Sequence, residues 1–210
     1  MKDNYTHITL VLDASGSMES IADDVIGGIN RFLDEQRQVA SEATISLWTF
    51  SDHDNIHQIA QMKPLSDVLD LTRQTYRTGG WTAMYDALGL SIVQTGKDLE
   101  AMPASQRPAS VLFVLMTDGH ENNSQEYKRE GICGMIAHQK ERYGWEFVFL
   151  GANLDSAAEG AQLGVNKGST QDWQPTAQGI GRMSKDLSQA TARYRTTAPS
   201  ARAAFFKEDK

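Results

Sequence analysis

The chain has 210 residues, 40% of them hydrophobic and 22% charged, which allows one domain with a sizeable core and excludes disorder throughout. A net charge of −7 and a pI near 5.2 argue against a general affinity for nucleic acid. The one cysteine, Cys133, cannot form an internal disulfide, and neither a secretory signal nor an apolar run near the roughly 20 residues of a membrane span is present, so the sequence reads as cytoplasmic with no membrane partner.

In chain order, the apolar run Ile8 to Leu12 stops at Asp13, and Ser15 and Ser17 follow on either side of Gly16. This is a buried strand that opens into an oxygen-rich turn. Ile21, Val25, Ile29, Phe32 and Leu33 recur at helical spacing and predict an amphipathic helix from about Glu19 to about Val39, with Ser17 at its N-cap. Ala43 to Phe50 alternates as a strand does and ends in the polar cluster Ser51-Asp52-His53-Asp54-Asn55. A short extended piece around Ile56 to Gln61 is expected beside it, and Pro64 is expected to begin a short helix reaching Leu71.

Gly79-Gly80-Trp81-Thr82 breaks the pattern before a helical stripe of Met84, Ala87, Leu88, Ser91 and Ile92, so Thr82 falls at a helix N-terminus after a loop free to approach something closely. Pro103 and Pro108 bracket the next loop. Ser110 to Met116 is nearly continuous in apolar residues, as in a strand buried on both faces, and it too ends at an aspartate, in Thr117-Asp118-Gly119. A helix over 125–142, a strand over 147–150, a short helix over 155–163 and a small strand around Val165 are expected next. Ile180, Met183, Leu187, Ala190 and Tyr194 mark the last helix. Residues 1–197 read as one domain, and 198–210 as a flexible tail without a periodic partner.

Alternating strands and helices predict an α/β domain: a doubly wound, mostly parallel central sheet with helices on both faces. Ligands of such sheets bind beyond the carboxyl ends of the strands, where strand order reverses. Asp13, Ser15, Ser17, Thr82 and Asp118 offer two carboxylates and three hydroxyls from three loops. That oxygen set suits Mg²⁺ or Mn²⁺ better than Zn²⁺, which favours His and Cys.

Asp13-Ala14-Ser15-Gly16-Ser17 resembles the DxSxS signature of von Willebrand factor A domains, and Gly80-Trp81-Thr82 and Thr117-Asp118-Gly119 resemble that family's second and third metal-site segments. The resemblance runs from about Tyr5 to Tyr194. It implies a Rossmann-like fold with a metal-ion-dependent adhesion site, whose ion is left one ligand short and is completed by a partner's carboxylate. Which of Asp13 and Asp118 binds directly stays open. The compact layout is similar to stand-alone bacterial and phage members. It implies a non-enzymatic adaptor or scaffold that captures a protein's Asp or Glu, with an AAA+ ATPase or a stress-response system as partner.

Two other readings use the same residues. One is a metal-dependent hydrolase or phosphotransferase with Asp13 as nucleophile or His120 as general acid or base; Ser15 stands where a second acid would, and no phosphate-binding lysine occurs in these loops. The other is a structural subunit whose ion stiffens the loops. Trp81, His120 and Glu121 are expected on the rim of the site. His53 and His57 read as loop residues, Cys133 as a buried structural thiol, and the last helix as packed statically on the sheet, the alternative being a shift on ligand binding that couples the site to a partner at the tail.

Overall fold

The computed structural model describes residues 1–202 and 204–206. Six strands form one sheet: β1 (Lys2–Asp13), β2 (Glu42–Phe50), β3 (Ile56–Pro64), β4 (Pro108–Thr117), β5 (Glu146–Ala152) and β6 (Thr170–Trp173). Their order is β3-β2-β1-β4-β5-β6, and all neighbours run parallel except the β2–β3 pair. Five α-helices cover the sheet: α1 (Ala22–Arg37), α2 (Met84–Ala101), α3 (Arg129–Tyr143), α4 (Ser156–Gln162) and α5 (Ala177–Thr196).

Both faces of β1 are covered, which is why its sequence is apolar without alternating. Ile8, Leu10 and Leu12 face one layer with Val25, Ile29 and Phe32 of α1 and Ile180, Met183 and Leu187 of α5. Val11 faces the other layer, with Leu88 and Ile92 of α2 and Ile132 and Ile136 of α3. On that second face β1 also carries His7 and Thr9. They are satisfied by hydrogen bonds between His7 Nδ1 and Thr44 Oγ1 (3.0 Å), between His7 Nε2 and Thr9 Oγ1 (3.2 Å), and between the hydroxyls of Thr9 and Thr95 of α2 (3.1 Å). Burial pushes the His7 imidazole down to about 3, so it stays neutral.

From β1 the chain proceeds to β2 on one side, and from β4 to β5 on the other. Strand order therefore reverses between β1 and β4, whose carboxyl ends carry Asp13 and Thr117-Asp118.

Several expectations need correction. The first helix begins with a 3₁₀ turn, Gly16–Ile21, before α1, so Ser17 lies inside a turn and not at an N-cap. The helix begun by Pro64 is only a 3₁₀ turn, Leu65–Asp67. Its backbone groups are claimed from outside: Arg37 donates to Leu65 O and Val68 O, and the Asn30 amide both donates to Leu71 O and accepts from Leu71 N. Val165 is no strand. Its amide bonds to Gly160 O and closes α4, and the edge strand is β6 instead.

Cys133 is half-buried, and its thiol donates to Gln162 O at 2.8 Å. Of the tail, 203 and 207–210 lie outside the described residues. Phe205 is 5% exposed beside Tyr194, Phe206 N donates to Gly168 O, and the Arg202 guanidinium lies 3.7 Å above the Tyr194 ring. These tail residues thus lie on the domain, with aromatic and cation–π contacts in place of a periodic stripe.

Candidate metal centre

Asp13 is fully buried at the end of β1. Its Oδ1 accepts from Ser15 N (2.7 Å), and its Oδ2 accepts from the Thr117 hydroxyl (2.6 Å) at the end of β4. Ser15 and Ser17 bring their hydroxyl oxygens within 3.2 Å of each other, and Ser17 Oγ donates to Asp118 Oδ1 at 2.7 Å. Four of the five candidate ligands therefore form one connected set at the point where strand order reverses.

Thr82, the fifth, is buried, and its loop is stitched to the first by Gly16 N to Gly80 O (3.0 Å) and Gly79 N to Ala14 O (2.9 Å). Among the described residues no hydrogen bond joins its hydroxyl to the other four. Gly80 sits at φ +74° with the Asp52 carboxylate where a Cβ would stand, so this close approach requires glycine.

The third loop secures the second. Helix α2 lacks an N-cap side chain of its own. Asn122 Oδ1 instead accepts from Thr82 N, Glu121 Oε2 from Tyr85 N, and Ser124 Oγ from Asp86 N. In return the buried Asp86 carboxylate accepts from the amides of Gln125, Glu126 and Tyr127. That exchange occupies the segment expected to begin a helix at 125, and α3 starts only at Arg129.

One rim expectation changes accordingly. Glu121 is not on the rim: its carboxylate accepts from the amides of Tyr85, Asn123 and Ser124 and from the Ser124 hydroxyl, and so holds the loop together. His120 is exposed, with Nδ1 3.3 Å from Glu159 of α4. Trp81 stands out into solvent at 64% exposure.

The electrostatics suit a cation. Burial pushes the Asp13 carboxyl up to about 6, against the lowering effect of the Thr117 and Ser15 hydrogen bonds, and Asp118 adds repulsion. Burial likewise raises Asp118, with Ser17 opposing it. Among the described residues no Lys or Arg lies within ion-pair distance of either carboxylate. Two desolvated carboxylates beside three hydroxyls, with no counter-charge, fit a divalent ion that prefers oxygen. Among the described residues no cluster of three His, Cys, Asp or Glu forms a separate metal site, and His53 instead pairs with Asp54 at 2.9 Å.

Tyr76 had no signal in the sequence. It is fully buried and donates its hydroxyl to the Asp13 carbonyl oxygen, bracing the strand end from behind. Burial raises its pKa well above the usual phenol value, and the Asp13 and Asp118 carboxylates add to that. Asn122 and Asp86 were also unanticipated, because their partners lie about 40 residues away in sequence.

The model of the von Willebrand factor type A domain matches residues 7–176 of this chain. No curated protein matches it. Among solved structures, proximal thread matrix protein 1 from the mussel byssus is 14% identical over 90% of this chain and 46% of its own, with a TM-score of 0.60. Another structure of that protein, with a zinc-occupied MIDAS motif, aligns at 0.59. The pilus adhesin SpaC from Lactobacillus rhamnosus GG, in an open conformation, is 13% identical over 90% of this chain and 30% of its own, at 0.63. The chain spans less than half the length of these structures, and the likeness is one of fold.

Proposed function

The chain belongs to the von Willebrand factor type A family, and from that premise we propose that it is a non-enzymatic, Mg²⁺- or Mn²⁺-dependent module that captures a protein partner through an Asp or Glu carboxylate. Asp13, Ser15, Ser17, Thr82 and Asp118 would hold the ion. When bound, it supplies a positive centre that offsets the buried carboxylates and attracts an outside one. The observation that carries this reading is the convergence of two buried, uncompensated carboxylates, from β1 and β4, joined through Ser15 and Ser17.

The chain's own residues do the positioning. Thr117 and the Ser15 amide aim Asp13, Ser17 aims Asp118, and Tyr76 fixes the backbone between strand and turn. Glu121, Asn122 and Ser124 hold the Thr82 loop in register with them. The hydrolase reading gains nothing from this arrangement, since His120 faces Glu159. A cytoplasmic setting is part of the proposal and is supported by the lone cysteine. No helix of the described residues is long and apolar enough to cross a membrane.

The test is a pull-down from native lysate in Mg²⁺, in EDTA, and with Asp13→Ala in Mg²⁺. Capture is expected only in the first. Undiminished capture in the other two, with the variant folded, overturns the proposal.

A further inference from the structure

Beside the metal centre, the loop from Gln74 to Gly80 and the adjoining ends of β2 and β3 enclose a cavity of about 570 Å³. Its lining includes Ala14, Asp52, His57, Arg77, Gly79 and Gly80. Ala14 lies between Asp13 and Ser15, and Gly80 O accepts from Gly16 N, so cavity and metal centre share a wall.

Arg77 is the one Lys or Arg in that lining. Its Nε donates to Gln74 O at 3.0 Å, and among the described residues no carboxylate lies within ion-pair distance of its guanidinium. Its charge therefore stands exposed beside the acidic site. Nearby Arg73 is paired with both Asp23 and Glu19, and Arg37 with Asp34 and Asp70. The one lining carboxylate, Asp52, is committed to the loop itself: Oδ1 accepts from Trp81 N at 2.7 Å, and the group lies against Gly80. Trp81 follows the cavity's Gly79-Gly80 and precedes Thr82, and it is 64% exposed, whereas Trp48, Trp145 and Trp173 are 8% or less.

We infer that this cavity is the second half of the partner-binding surface, and that the partner presents an acidic segment, with one carboxylate directed to the metal centre and a second to Arg77 across Trp81. The inference rests on the metal-site reading above and adds the class of partner to it. A planar guanidinium recognises a carboxylate through paired hydrogen bonds, so two-point attachment separates an acidic segment from a lone Asp. Trp81, exposed on the segment that leads from the cavity's Gly80 to Thr82, supplies apolar contact.

The experiment uses the full chain in saturating Mg²⁺, titrated with capped Gly/Ser peptides carrying one Asp, or two Asp separated by one, two or three glycines. The emission of exposed Trp81 and its acrylamide quenching report binding, and Mn²⁺ affinity is measured in parallel by electron paramagnetic resonance. At low salt the best two-Asp peptide is expected to bind about two- to fivefold more tightly than the one-Asp peptide, as suits one solvent-exposed ion pair. In Arg77→Gln that preference disappears while Mn²⁺ affinity is unchanged. A wild-type protein without the preference, or an Arg77→Gln protein that keeps it, overturns the inference and leaves the metal-site reading standing. Peptides that bind equally in EDTA, or not at all in Mg²⁺, overturn both.

Discussion

The Ser17 hydroxyl donates to Asp118 Oδ1 at 2.7 Å, joining residues 101 positions apart. It ties the turn after β1 to the turn after β4 in a bond that is open to solvent on the Ser17 side. A hydrogen bond to a charged group contributes about 1.5–3 kcal/mol, but here water can replace it. In Ser17→Ala, calorimetry is therefore expected to find Mg²⁺ bound about tenfold more weakly, with the melting temperature in EDTA almost unchanged.

Asp13 carries a charge that the metal-free fold tolerates poorly. Asparagine has the same shape; its Oδ1 can still accept from Ser15 N, and its amide can donate to the Thr117 hydroxyl, which already has Gly119 O as an acceptor. Asp13→Asn is expected to melt higher than wild type in EDTA, by about 1–2 kcal/mol of stability. Unlike wild type, it should gain nothing from added Mg²⁺. Differential scanning calorimetry with and without the ion checks both halves.

The pH dependence of the metal-free protein has two opposing parts. His7 sits at about 3, below its ordinary 6.5, so the unfolded chain takes its proton first and stability falls as pH drops from 6.5 toward 3. Asp13 sits at about 6, above its ordinary 3.8, so the folded chain takes its proton first and stability falls as pH rises from 3.8 to 6. Urea midpoints between pH 4 and 6.5 should therefore change less in wild type than in Asp13→Asn, where only Asp118 and Glu146, both raised by burial, still oppose the His7 loss on acidification. Each group contributes at most about 1.4 kcal/mol per pH unit.

Asp86 is buried and holds three backbone amides of the third loop. Asp86→Ala leaves those amides without their acceptor and is expected to cost about 3 kcal/mol. Because the same loop holds Thr82 in place, Mg²⁺ affinity should fall as well, although Asp86 is not a ligand. Urea denaturation and a Mg²⁺ titration of the folded variant measure the two effects.

Much of the fold was legible because its signals are local. Ile8 to Leu12 and Ser110 to Met116 are apolar without alternation, as strands covered on both faces must be, and each ends at the residue that turns polar for the site. Asp13, Ser15 and Ser17 were readable for the same reason, since five adjacent residues carry them. What was not legible depends on partners distant in sequence. Nothing near Glu121 or Asp86 shows that Glu121 takes the Tyr85 amide or that Asp86 takes the Tyr127 amide, and nothing near Ser17 shows that Asp118, and not the following helix, claims its hydroxyl. Pro64 opens only a short turn because Arg37 and Asn30, on α1, take the backbone groups that a helix would use. Phe205 finds Tyr194 by tertiary contact alone, so the tail has no periodicity to read.

The central claim is that the loops after β1 and β4, with the Thr82 loop, hold one divalent ion. A Mn²⁺ titration followed by electron paramagnetic resonance, competed with Mg²⁺, tests it most directly in wild type, Asp13→Asn and Asp118→Asn. One Mn²⁺ per chain, displaced by Mg²⁺ and lost in both variants while their circular dichroism stays native, is the expected result. Stoichiometric binding that survives in both variants would contradict the claim.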